Sequence, residues 1–263
     1  MVLADPVAVA TTISVLMMTS SDNASVRSQK VWDWTVRTFH WSLVVLIACM
    51  WSTAEGHGVW EALDAFMVEQ GWVAYGWGDM GWHRRIGMLV LFLWFYRVYW
   101  GLFGASTAKF SDFIKGPSKV VEYAKSLTKG DYKPSTGHNP LGALSVVALI
   151  VVVGTQVGTG LFTIDVNGLE SGPLSKFLEF DTGRLFADFH EMSFRALYIL
   201  IALHVLAVAA YQLVLKANLL RPMLTGSRKV DLDLPVKTVN APIWNVALGI
   251  AVATLLTWLV WTV

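Results

Sequence analysis

Apolar residues along this chain gather into five long runs, at about 38–54, 84–103, 140–163, 190–215 and 243–262, separated by polar stretches. Each run is long enough to cross about 30 Å of hydrocarbon as a helix. Helices are expected there because a segment in lipid must satisfy its own backbone polar groups. The pattern predicts an all-α integral membrane protein: a bundle of transmembrane helices, the fifth of them C-terminal. The expected division is an N-terminal cytoplasmic segment over 1–29, the bundle over 30–229, and a linker with the fifth helix over 230–263. Residues 1 to about 25 are too short and too interrupted for a span and lack the basic start of a signal peptide. The polar stretch after Met17 and Met18 places the expected true start there.

Composition supports the membrane reading. Of 263 residues 55% are hydrophobic and only 15% charged, less charge than a soluble domain of this length carries. The net charge of +1 conceals opposed loops. Between Glu55 and Asp79 stand five acids and no Lys or Arg, whereas Lys109, Lys115, Lys119, Lys125, Lys129 and Lys133 mark the next loop. The positive-inside rule then puts the N-terminus and the second loop in the cytoplasm, with the first and third loops outside. The outer loop holds Trp60, Trp72, Tyr75, Trp77 and Trp82 among its acids, a mixture suited to a surface-lying segment or a docking face. Cys49 is the only cysteine, which excludes an intrachain disulfide, a Cys-ligated cluster and c-type haem attachment.

The fourth run carries His190 and His204. Fourteen residues of helix bring the two within about 40° of one face and about 21 Å apart, with Phe194, Leu197 and Ile201 between them on the stripe. Imidazole in a hydrocarbon-spanning helix is costly and marks function. Depth sorts the histidines: His40 shares the inner level with His204, and His83 shares the outer level with His190. Each pair can supply both axial nitrogens of a six-coordinate haem iron, so two haem b groups are expected, one per pair. With no open iron position, such sites suit electron transfer better than oxygen chemistry. His57 falls in the outer loop and His138 at the start of the third span, where no partner at its depth remains. Arg84 and Arg85 begin the second span on the side where cations are depleted, so a local anion is expected to hold them, as haem propionates would. Arg97 lies on the face of His83 at the inner depth. Gly154 and Gly158, spaced Gly-x-x-x-Gly, predict close helix packing, with room for a flat macrocycle as the functional alternative.

Trp-Thr-Val-Arg-Thr-Phe-His-Trp at 34–41, Trp-His-Arg-Arg-Ile-Gly at 82–87, Gly-His-Asn-Pro-Leu-Gly at 137–142 and the His190/His204 pair together resemble the bacterial cytochrome b561 family. The chain is similar, in particular, to the b-type cytochrome subunits of Ni-Fe hydrogenases and to the gamma subunit of formate dehydrogenase. The resemblance covers about residues 30–229 and implies a bundle of four helices holding two b haems, ligated by helices one and four at the inner level and two and four at the outer. It further implies an electron-transfer subunit that relays electrons between a periplasmic redox protein, dehydrogenase, hydrogenase or cytochrome c, and the quinone pool. The quinone is expected beside the inner haem, near His138 and Asn139. Arg37, Arg84, Arg85, Arg97 and Asn139 complete the expected cofactor-binding set. Lipid and quinone are expected partners, with a homo- or hetero-oligomer open and no nucleic acid. The fifth span departs from the four-helix pattern. A superoxide-to-quinone oxidoreductase is the enzyme-class rival, but it needs a cationic funnel where the outer loops are acidic. A non-haem membrane anchor or ion carrier predicts a colourless protein.

Overall fold

Asp33 has no exposed surface and organises the start of the bundle. It caps helix α1 (Trp34–Glu55), its Oδ1 accepting from the amide of Val36 at 3.0 Å. Its Oδ2 accepts from the indole N–H of Trp100 at 3.2 Å, which ties α1 to helix α3 (Gly78–Phe103). An N-cap carboxylate satisfies orphan amides of the first turn; here the second oxygen also fixes where two helices meet.

The computed structural model describes residues 26–105, 107–130, 137–166, 170–231 and 239–263. The expected start at Met17 or Met18, and with it almost all of 1–29, lies outside the described residues, as do Lys133 and Pro235. Among the described residues four helices are each long and apolar enough to cross a membrane: α3, α6 (Pro140–Gly160), α7 (Phe180–Leu213) and α9 (Ile243–Thr262). The pair α1 and α2 (Val59–Glu69), bent by 95° at Gly56–Gly58, supplies the fifth. Gly56 and Gly58 take φ of +67° and +72°, left-handed conformations that cost glycine little. The turn lays α2 across the end of α1. Short helices α4 (Phe110–Phe113), α5 (Pro117–Thr128) and α8 (Leu220–Thr225) fill the connections at the opposite end.

α7 begins ten residues before the apolar run predicts. Asp181, Arg184 and Asp188 hid that start from a hydropathy reading but do not oppose helix. At 34 residues α7 is about 51 Å long, well beyond the hydrocarbon thickness, so its first turns project from the membrane. A second departure is a two-stranded antiparallel ribbon, β1 (Val26–Lys30) with β2 (Ser227–Asp231), where the pattern predicted only loop. It joins the chain before α1 to the chain after α7 and straddles both expected borders of the bundle, at 29/30 and 229/230.

α1 packs along α3, α6 along α7, and α3 links the two pairs through α6. α7 does not pack along α1 or α3. Midway up the slot so formed, Val90, Val153 and Leu197 are buried together, with Leu43, Leu46, Met50, Trp94 and Ile201 around them. Gly154 bears out close packing: a Cβ there would lie 2.8 Å from the Trp94 ring, whose N–H donates to the carbonyl of Ile150. Gly158 does not, meeting nothing within 4 Å.

α9 runs antiparallel to α3. Asn245 near its start donates from Nδ2 to the carbonyl of Phe103 at 2.8 Å and accepts from the Tyr99 hydroxyl, while Trp261 near its end lies 5.5 Å from the Arg84 guanidinium. The fifth helix thus covers the outer flank of α3.

Candidate haem sites

α7 presents its two histidines to two different neighbours. The ring centroids of His204 and His40 of α1 stand 6.5 Å apart, and those of His190 and His83 of α3 stand 6.2 Å apart. Leu197, 3% exposed, is seven residues from each α7 histidine and closes the space between the levels. Rings at these distances leave no less than about 4 Å between their nearest atoms, too far for a hydrogen bond. A metal–imidazole bond of about 2.0–2.1 Å, with about 1.1 Å from nitrogen to ring centre, puts two rings on one metal about 6 Å apart. Both pairs fit that spacing. Among the described residues no group of three or more His, Cys, Asp or Glu gathers to hold a metal ion, so the protein offers two ligands at each level. That donor set suits a metal whose other positions are filled by a macrocycle.

Around the His83/His190 pair the polar side chains are specific. Thr53 of α1 donates its hydroxyl to the carbonyl of Met50 at 2.7 Å and lies 2.8 Å from His83 Nδ1. His190 Nδ1 lies 2.9 Å from the carbonyl of Gln156, and since a carbonyl only accepts, that nitrogen carries the proton. The Gln156 amide nitrogen is 3.0 Å from His190 Nε2, and its Oε1 accepts from Ser193. The ring lies so close to α6 that a Cβ on Gly160 would come within 2.9 Å of it. None of Thr53, Gln156 and Ser193 was singled out by the sequence. Gln156 did carry a signal, as the one amide or charged side chain within 140–163.

The His40/His204 level is built differently. His40 Nδ1 is buried without a hydrogen-bond partner among the described residues. Beside this level lies Arg97, 4% exposed, its Nη1 unpartnered and its guanidinium 5.2 Å from the Phe110 ring centre. The carboxylate of Asp33 is the anion that acts on this guanidinium; a buried cation is costly, and the anionic edge of a bound group would also satisfy the free Nη1. His138 is held between Trp32 and Phe113, with ring centroids 4.6 and 4.7 Å away. Burial, then the charges of Arg97 and His204, push its pKa down to about 3, so it is a neutral hydrogen-bonding group at any working pH. Asn139 caps α6, its Oδ1 accepting from Gly142 N at 2.7 Å.

The remaining arginines have protein partners. Arg84 Nη1 lies 3.8 Å from Glu170 and Arg85 donates to the carbonyl of Gly81 while stacking 3.8 Å over Trp77. The local anion expected beside them is present, as Glu170. Arg37 donates to the carbonyl of Leu224 at 2.6 Å, and His57 rests against Trp51.

The family model of prokaryotic cytochrome b561 matches residues 31–226, from the residue before Trp32 to the glycine just before β2. The chain belongs to the prokaryotic cytochrome b561 family. It is a multi-pass bacterial membrane protein and a b-type cytochrome of electron transfer, a family that binds haem b. No curated protein and no solved structure matches the chain. Within this cytochrome b561 the matched segment takes in both histidine pairs and stops before α9, which packs along α3.

Proposed function

We propose that this cytochrome holds two haem b groups, one between His40 and His204 at the inner level and one between His83 and His190 at the outer, and relays electrons across the inner membrane. The observation that carries the reading is the pairing of four histidines from three helices into two sets of rings 6.5 and 6.2 Å apart. Bound there, a haem would supply a one-electron iron couple, held by the two histidines of its level.

The chain's own part is placement and insulation. α7 provides one ligand at each level, and the Leu197 cluster keeps the space between them dry. Arg97 offers its free Nη1 to the anionic edge of the inner group, and Arg84 and Arg85 stand at the membrane face of the outer one. The N-terminus is cytoplasmic, and the residues from Glu55 to Asp79 face the periplasm. With their acids and the exposed rings of Trp72 and Tyr75 they form the docking surface for a dehydrogenase-, hydrogenase- or cytochrome c-type partner. Quinone is placed next to the inner haem, where neutral His138 can hydrogen-bond a quinone oxygen. Membership of the prokaryotic cytochrome b561 family supports the same reading.

The test is the visible spectrum of the chain purified in detergent, oxidised and dithionite-reduced, with a pyridine haemochrome assay. Two b haems per chain with low-spin bands are expected. A colourless protein from haem-replete cells overturns the proposal.

A further inference from the structure

α1 carries His40 at one level of the bundle and, about 20 Å along the same helix, Thr53 at the other. Thr53 is 1% exposed, the most buried hydroxyl of the membrane-spanning helices among the described residues. A threonine hydroxyl has one hydrogen to donate. The Met50 carbonyl, 2.7 Å away, can only accept, so that hydrogen is committed to it. What Thr53 offers His83 Nδ1 at 2.8 Å is therefore a lone pair, and His83 must be the donor.

We infer that Thr53 is the positioning residue of the His83/His190 site, holding His83 as the Nδ1–H tautomer with Nε2 free for iron and lowering the potential of the haem bound there. The inference rests on the proposed outer haem site. An imidazole that donates its far N–H to an oxygen is a more basic ligand and has its ring orientation fixed. A more basic ligand favours ferric over ferrous iron. His190 has the matching bond to the Gln156 carbonyl, so both rings of this site are polarised in the same sense. The His40/His204 site has no such contact at His40 Nδ1 among the described residues and serves as an internal control.

The experiment is a redox titration of the full chain, followed by visible and EPR spectroscopy, in wild type, Thr53→Val and Thr53→Ser. A repeat in a His204→Ala background identifies the outer haem. Valine keeps the shape and removes the hydroxyl, leaving the Met50 carbonyl as the acceptor beside His83; serine restores the hydroxyl. In T53V the ferrous-to-ferric ratio of the outer haem at fixed potential should rise about tenfold, about 59 mV for a one-electron couple, with the inner haem unchanged and T53S close to wild type. Loss of the outer haem in T53V but not in T53S supports the same role. Unchanged midpoints in T53V with both haems present, or equal effects of T53V and T53S, overturn the Thr53 inference alone. A His83→Ala protein that keeps two low-spin haems overturns the site itself, and the inference with it.

Discussion

His40 and His204 face each other across 6.5 Å although their helices do not pack along one another. α1 pairs with α3 and α7 with α6, so these pairings, rather than contact between α1 and α7, set the distance between the two rings.

His204→Ala should remove the inner haem and spare the outer. The pyridine haemochrome assay should fall from two haems per chain to one, and the surviving haem should keep its low-spin bands. Two haems in the variant would mean that His204 is not paired with His40 through iron.

Arg97 bears on the inner haem through charge. A cation buried beside it favours the ferrous state, and in a site this poorly solvated the effect is not screened. Arg97→Gln should lower the inner midpoint, with the ferrous-to-ferric ratio falling about tenfold, and leave the outer one in place. Potentiometry of the two bands reads this directly.

Gly154 and Gly158 should respond oppositely to the same substitution. Gly154→Ala forces a Cβ to 2.8 Å from the Trp94 ring and should cost about 1–3 kcal/mol by overpacking. Gly158→Ala meets open space and should be near neutral. Thermal unfolding followed by loss of the haem absorbance separates them.

Asn245 joins the fifth helix to the bundle by two hydrogen bonds. Asn245→Leu leaves the Tyr99 hydroxyl and the Phe103 carbonyl unpaired at a cost of about 1–3 kcal/mol. Thermal stability should drop while haem content stays at the wild-type value, because α9 touches α3 on the flank away from both histidine pairs.

The sequence by itself determined the number and rough extent of the spans, because twenty consecutive apolar residues have few stable alternatives in lipid. It also determined which histidines share a level, since helical rise converts the spacing of His190 and His204 directly into depth. Membership of the cytochrome b561 family was legible in short motifs around His40, His83 and His138.

Only the tertiary structure decided what surrounds each ligand. Thr53 reads as an ordinary polar residue near a helix end, and its contact with His83 exists only because α1 packs on α3. Gln156 and Ser193 meet across α6 and α7, Arg97 and His138 come together from segments some forty residues apart, and β1 finds β2 across the whole bundle. Periodicity reports the face and depth of one helix at a time. Which faces meet, and so which hydrogen bonds tune a ligand, depends on long-range packing, which no local pattern encodes.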